Sequence, residues 1–451
     1  MRFSELEGAT VGVWGAGREI RSFAEQMARR LPRARLAVAV FDGPPPQDAR
    51  AALRAPEAQL IDAAGAVAAL AGCDVLVRSP GVSIHRPELQ ALREEGTPVT
   101  TATALWLAER GGREVIGVTG TKGKSTTAAL ASHLARAAGR AAQLAGNIGV
   151  PALDLLEQDP GELAIVELSS YQIADLISGP EVAVITSLFP EHLDWHGSEE
   201  AYRAEKLRIL GLPGVRVAVL NGRDRQLRAA APEGLETVLF GVAEGWDLLT
   251  GGVAHEGELL VASAELPLRG EHNALNLCAA LAALEAVGVR PPLPQGLRGF
   301  SPLPHRLETV LERDGLLWVN DSISTTPQST LAALASFPAQ NLVLIAGGQD
   351  RGQDYAELAR TLVERGASVI GVPSTGERLL AAAREAGIPP SQAFEADGLP
   401  AAVAQARECA VPGAVILLSP AAPSYDHYRD FEERGERFRA LADSAPEPRR
   451  A

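Results

Sequence analysis

The densest chemistry in this chain lies at residues 117–130, GVTGTKGKSTTAAL. Glycines in such a loop let backbone N–H groups approach a phosphate, and the helix that follows adds its favourable N-terminal partial charge. The common form is G-x-x-x-x-G-K-[ST], but Val118 stands where its first glycine belongs. What is present is shorter: Gly120-Thr121-Lys122-Gly123-Lys124-Ser125-Thr126. An apolar run at 115–118 precedes it, and a helical stretch begins near Ser125. Lys124 is placed to reach terminal phosphates, and Ser125 or Thr126 to coordinate Mg2+. The alternative is an ordinary strand-to-helix turn with a solvated lysine. The order strand, glycines, G-K-S, helix argues for nucleotide phosphate.

Other stretches carry groups of the right type. ELAIVELSSYQ ends an apolar run in Glu167, a carboxylate at a buried strand's exit, where a phosphate-loop fold needs its second Mg2+-directed acid. Ser169, Ser170 and Gln172 follow as substrate contacts or as a simple helix cap. FPEHLDWHGSEEAYRAEKLRIL brings His192, Asp194 and His196, then Lys206 on an amphipathic helix with Tyr202, Leu207 and Leu210. Residue types alone rank these below Glu167, with Lys206 on a solvated face. In GEHNALN, Asn273 and Asn276 lie one helical turn apart and suit an adenine edge or a cap. Farther on, Arg306 suits a phosphate and Asp321 a ribose, while 322–326, with Thr325, suits a carboxylate or a turn. At the N-terminus, Gly15-Ala16-Gly17 follows an apolar run and Asp42 ends the next one. Ile20 occupies the place of a third glycine, which counts against a standard dinucleotide site.

The elements that must position these groups are short apolar runs alternating with alanine- and leucine-rich helical stretches, the pattern of βαβ units around parallel sheets. A chain of 451 residues exceeds one ordinary core. The stretch VRPPLPQGLRGFSPLPHR at 289–306 marks one boundary, and 108–113 a second. Three consecutive α/β domains are expected: a Rossmann-like 1–110, a P-loop ATPase-like 111–299 and a Rossmann-like 300–451. A net charge of −14 argues against a broad surface for nucleic acid or acidic membrane. Three scattered cysteines form no metal or disulfide framework. No secretion signal or membrane-length apolar run is legible, so a cytoplasmic protein is expected.

Together the motifs resemble the Mur ligase family, cytoplasmic enzymes that add amino acids to the UDP-linked peptidoglycan precursor. The resemblance covers essentially the whole chain. GTKGKST is similar to that family's own short phosphate loop, and GNIG, ELSSYQ, EHLD, AYRAEKL, GEHNALN, LPHR and NDS fall in its order. ELSSYQ, the compact N-terminal domain and the ending LLSPAAPSYDHYRDFEERGERF resemble the members that attach glutamate to UDP-N-acetylmuramoyl-L-alanine.

The resemblance implies roles that spacing does not. Lys124, Glu167, His192 and Lys206 would be catalytic, with Ser125, Glu167, His192 and a CO2-carbamylated Lys206 around two Mg2+ ions. ATP would be held by 120–126 with Asn273, Asn276, Arg306 and Asp321. The UDP substrate would meet Gly15, Ala16, Gly17, Arg18, Gly81, Asn147, Ser169 and Gln172. Thr325, Arg351, Ser424, Tyr425 and Phe431 would line the glutamate site. The implied reaction is activation of the alanyl carboxylate as an acyl phosphate, attack by the glutamate amine and release of ADP and phosphate, by a monomer. Two departures stand out: Ile323 follows NDS and Arg351 follows GGQD, where the family's glutamate ligases carry lysines. D-glutamate is the family default, but NDSISTTP, PEHLDWHG and SPAAPSY look like an L-glutamate-adding branch, and both hands stay open. A folylpolyglutamate synthase-like ligase and a P-loop ATPase without ligase activity are the competing readings.

Overall fold

The computed structural model describes residues 1–46, 48–189, 198–268, 270–301, 304–337 and 340–444. It divides into two compact units, Met1–Phe300 and Ser301–Ala451. The division falls inside the proline- and glycine-rich stretch at 289–306, and the boundary expected at 110/111 lies within the first unit.

The first unit holds two parallel sheets. One orders its strands β3-β2-β1-β4-β5, with β1 Thr10–Trp14, β2 Arg35–Phe41, β3 Gln59–Asp62, β4 Val75–Arg78 and β5 Val99–Thr100. The other runs β11-β10-β9-β6-β8-β7, from β6 Val115–Thr119, β7 Ala142–Gly146, β8 Leu163–Glu167, β9 Val182–Ile185, β10 Val217–Asn221 and β11 Glu236–Phe240. Every residue of β6, β8 and β9 is buried. Unbroken apolar runs, rather than alternating ones, are what a parallel sheet covered on both faces requires. Helix Lys124–Ala137 packs against helix Glu271–Ala286, whose alanine-rich middle is buried from Leu277 to Leu284. A small antiparallel sheet, β12 Trp246–Leu249, β13 Gly252–His255 and β14 Glu258–Ala262, completes the unit.

The second unit is one mixed sheet, β15-β16-β20-β17-β18-β19. Its strands are β15 Glu308–Arg313, β16 Leu316–Asn320, β17 Leu342–Ala346, β18 Ser368–Gly371, β19 Ala393–Glu395 and β20 Val415–Leu418. Only the β15–β16 pairing is antiparallel; from β16 across to β19 neighbours run parallel. The loops leaving β16, β17 and β20 therefore emerge at one edge, outside the carboxyl ends of the strands, where open α/β sheets take ligands. Among the described residues no helix is long and apolar enough to cross a membrane.

Candidate active site

β6 sits centrally, flanked by β8 and β9, so the loop it feeds opens between their carboxyl ends. The register pairs Val118 with Glu167 and Thr119 with Ile185, bringing phosphate loop, acid and hydroxyl groups to one edge. Two glycines fix the loop's path. A Cβ on Gly120, at φ +140°, would meet Thr186 Oγ1 at 2.1 Å; one on Gly123, at φ +87°, would meet Asn276 Oδ1 at 2.2 Å. The loop leans on the segment after β9. Lys122 N–H donates to Ser187 Oγ at 2.9 Å, and its carbonyl accepts from Thr186 Oγ1 at 2.6 Å and Ser187 Oγ at 3.0 Å. Thr121 Oγ1 meets both N–H and carbonyl of Phe189 at 2.9 Å and the Tyr202 hydroxyl at 2.8 Å. Gly123 caps helix Lys124–Ala137, with Ser125 and Thr126 buried in its first turn. Lys124 Nζ donates to Thr121 O at 2.8 Å, folded over the loop it belongs to.

Glu167 ends β8 at 1% exposure. Its Oε1 accepts from Asn147 Nδ2 at 2.8 Å, while its Oε2 is buried and has no hydrogen-bond partner among the described residues. A buried carboxylate oxygen is costly unless paired. Beside a phosphate loop, that orphan fits a Mg2+ ion, which takes one or two carboxylates and completes its shell with phosphate and water. Among the described residues no three acidic, histidine or cysteine side chains cluster around one point. Lys206 corrects the reading of its helix, Glu199–Leu207, as a solvated face at this position. It is 2% exposed, donates to Gly120 O at 2.9 Å and stands 4.9 Å from the Tyr202 ring centroid. Tyr202 and Lys206 are one turn apart, so the face that buries the tyrosine turns the lysine inward. His192, Asp194 and His196 lie outside the described residues.

The other groups expected around this centre lie as follows. Asn276 is buried and its amide donates to Asn273 Oδ1 at 3.3 Å; its carbonyl accepts from Thr127 Oγ1 at 3.4 Å. Ser169 and Gln172 form a reciprocal cap. Ser169 N–H and Oγ both donate to Gln172 Oε1, at 2.8 and 2.9 Å. Gln172 is buried and its Nε2 donates across to Glu19 Oε1 at 2.6 Å. The Gly15-Ala16-Gly17 turn leaves β1 and meets Ser79, whose N–H donates to Trp14 O at 2.8 Å. Gly81, two residues on, is exposed. Arg18 reaches the carbonyls of Gly146, Asn147 and Gly149 at 2.7, 3.0 and 2.9 Å. The fully buried Arg78, just before Ser79, pairs with Asp175 at 2.5 Å.

In the second unit, Asp321 follows β16 at 2% exposure. It accepts from Leu307 N–H at 3.2 Å and Ser419 Oγ at 2.8 Å. Burial pushes its carboxyl up to about 6, against the opposing pull of Ser324, Ser419 and Arg306. Arg306 keeps a buried Nε without a hydrogen-bond partner among the described residues. Ser424 is buried, and Tyr425 beside it is 61% exposed. The Arg351 guanidinium, in the loop after β17, lies 5.9 Å from the Tyr425 ring. Thr325, half-buried, lies in the loop between Asp321 and helix Pro327–Ala335, and Phe431 opens helix Phe431–Asp443.

Sequence reasoning missed Arg434. At 2% exposure it donates from Nε to Ser322 Oγ at 3.0 Å, from Nη2 to Ser322 O at 2.8 Å and from Nη1 to Ala422 O at 3.1 Å. It thus ties the loop after β16 to the loop after β20, and burial pushes its pKa down to about 10. In the sequence it is one of several charges in FEERGERF, and nothing in their spacing singles it out.

Two family models match the chain: the Mur ligase middle domain over residues 118–284, and the Mur ligase, glutamate ligase domain over 305–422. A UDP-N-acetylmuramoyl-L-alanine–L-glutamate ligase of Micromonospora sp. is 42% identical over 474 positions, covering 100% of both chains. One of Salinispora tropica is 43% identical, covering 99% of this chain and 100% of its own. Among solved structures, the UDP-N-acetylmuramate–alanine ligase of Thermotoga maritima superposes with a TM-score of 0.60 at 18% identity, covering 95% of this chain and 98% of that one. The matches run through the phosphate loop, the Glu167 strand and the sheet edge of the second unit, and the chain belongs to the Mur ligase family of ATP-dependent acid–amino-acid ligases.

Proposed function

We propose that the chain joins L-glutamate to UDP-N-acetylmuramoyl-L-alanine, converting ATP to ADP and phosphate, in the cytoplasm and as a monomer. The observation that carries the reading is the buried, unpartnered Glu167 Oε2 beside a glycine-shaped phosphate loop. A carboxylate is a poor electrophile. Transfer of the γ-phosphoryl group to the alanyl carboxylate gives an acyl phosphate; the glutamate amine adds to its carbonyl carbon and loses a proton, and phosphate leaves with the C–O bonding pair. The loop N–H groups and Lys124 hold and neutralise the phosphates. Asn273 and Asn276, with Arg306 and Asp321, hold the rest of ATP. Gly15–Gly17, Arg18, Gly81, Asn147, Ser169 and Gln172 seat the UDP substrate. Thr325, Arg351, Ser424, Tyr425 and Phe431 receive glutamate.

Glu167 and Ser125, with His192 and a carbamylated Lys206, would hold two Mg2+ ions. Bound there, the ions supply charge neutralisation for phosphoryl transfer. Loss of a proton from the Lys206 ammonium frees its amine, which adds to CO2 and releases a second proton; the carbamate so formed turns a buried cation into an anion.

The L-hand is favoured by the names of the two full-length relatives; Ile323 and Arg351 leave one cation fewer and one reshaped where glutamate is expected, which changes how a dicarboxylate is held. The test supplies ATP, Mg2+ and UDP-N-acetylmuramoyl-L-alanine with each glutamate enantiomer separately. Product with L-glutamate alone is expected. Product with the D-form alone overturns the stereochemistry, and phosphate release independent of both acceptors overturns the ligase.

A further inference from the structure

The first turn of helix Arg18–Arg30 reaches across from the N-terminal sheet and touches two supports of Glu167, one that bonds its carboxylate and one that continues its chain. One support is Asn147, which donates to Glu167 Oε1 at 2.8 Å. Its backbone is held from the other sheet. Arg18 donates to Asn147 O at 3.0 Å and to the flanking carbonyls of Gly146 and Gly149 at 2.7 and 2.9 Å. The second support is the turn that follows β8, whose first hydroxyl, Ser169, is gripped by Gln172 Oε1. An amide can be turned either way round, and only one orientation presents its oxygen to Ser169. Glu19 selects it. Its carboxylate offers only acceptors, at 2.6 Å from Gln172 Nε2, and its second oxygen is occupied by Thr103 Oγ1 at 3.1 Å. Glu19 is 9% exposed, so water does not compete strongly for this choice.

We propose that Glu19 and Arg18 are positioning residues for Glu167: together they fix the carboxylate that faces the phosphate loop, although neither touches ATP or the cation. Nothing in the chemistry of the phosphate loop requires an acid and an arginine on a helix of another sheet. Their juxtaposition with Gln172 and the Gly146–Gly149 carbonyls supplies the argument. Groups standing behind a cation ligand are worth about 10- to 100-fold in metal affinity. The inference rests on the proposed role of Glu167 as cation ligand.

The test measures Mn2+ affinity in the presence of a non-hydrolysable ATP analogue, from the electron paramagnetic resonance of free Mn2+. Full-length wild type, Glu19→Ala and Arg18→Ala are compared. Each variant is expected to bind Mn2+ about tenfold more weakly than wild type. Arg18→Lys, whose single ammonium cannot span three carbonyls, should fall between Arg18→Ala and wild type. Arg18 is otherwise exposed, so its variants keep the proposal falsifiable where Glu19→Ala fails to fold. Variants that melt earlier yet bind Mn2+ as wild type does would show a purely structural role and overturn it, as would a wild type that binds no Mn2+. The readout needs neither UDP substrate nor glutamate. Failure of wild type to make product in a parallel assay counts against the proposed function and leaves the Mn2+ comparison standing.

Discussion

Glu167 and Asp321 are both buried acids, and their surroundings give them opposite tasks. Among the described residues Glu167 keeps one oxygen unsatisfied, a cost that the proposed cation would offset. Glu167→Gln keeps an acceptor for Asn147 and removes the charge. Ligation should fall by about 100-fold or more, while the ligand-free protein melts at a higher temperature; steady-state rates and a thermal melt together check the pairing. Asp321 is satisfied by Leu307 N–H and Ser419 Oγ, but full burial raises its carboxyl from 3.8 to about 6. Between those values the folded chain binds more protons than the unfolded one, so stability falls as pH rises through the window. The contribution is complete below 3.8, absent above about 6 and at most about 3 kcal/mol. Chemical denaturation from pH 4 to 6.5 should show that slope, and Asp321→Asn should flatten it.

At the scale of elements, strand order decides what the loops meet. β6 lies between β8 and β9, and the loop leaving it leans on Thr186 and Ser187, just past β9. Gly123 is one of the loop's two tight points: helix Glu271–Ala286 presses Asn276 against it, and its φ of +87° lies where a side chain is strained. Gly123→Ala should therefore cost about 1 kcal/mol from backbone strain alone, with more from the clash. It should also weaken ATP binding, because either the loop or Asn276 must move. Isothermal titration with ATP and a melting curve measure both effects; unchanged binding would mean that the loop relaxes freely. The Lys206 helix makes the same point. Its amphipathic pattern was legible, but the pattern gave its lysine to solvent, and the packed helix turns that lysine to Gly120.

On the scale of the molecule, each apolar core lies within one unit. One cluster joins Val13, Ile20 and Phe23 of the N-terminal sheet layer to Val166, Ile173 and Leu188 of the central one. The second unit has its own cores around Leu344 and around Trp318 and Phe438. Three α/β domains were legible because βαβ alternation and a proline-rich stretch are local signals. The joining of the first two into one compact unit was not, because it depends on long-range pairs such as Arg78 with Asp175 and Gln172 with Glu19.

The sequence by itself determined the local chemistry. Gly120-Thr121-Lys122-Gly123-Lys124-Ser125 between an apolar run and a helix states a phosphate loop, and the order of later motifs states the family. Such signals survive in one dimension because turn conformation, helix caps and strand burial depend on neighbours in sequence. Only the tertiary structure decided which acid oxygen is left free, that Lys206 is buried, that Arg434 ties two loops and that Arg18 and Glu19 stand behind Glu167. Those outcomes depend on which side chains meet across sheets and loops far apart in the chain, and spacing along one chain carries no record of such meetings.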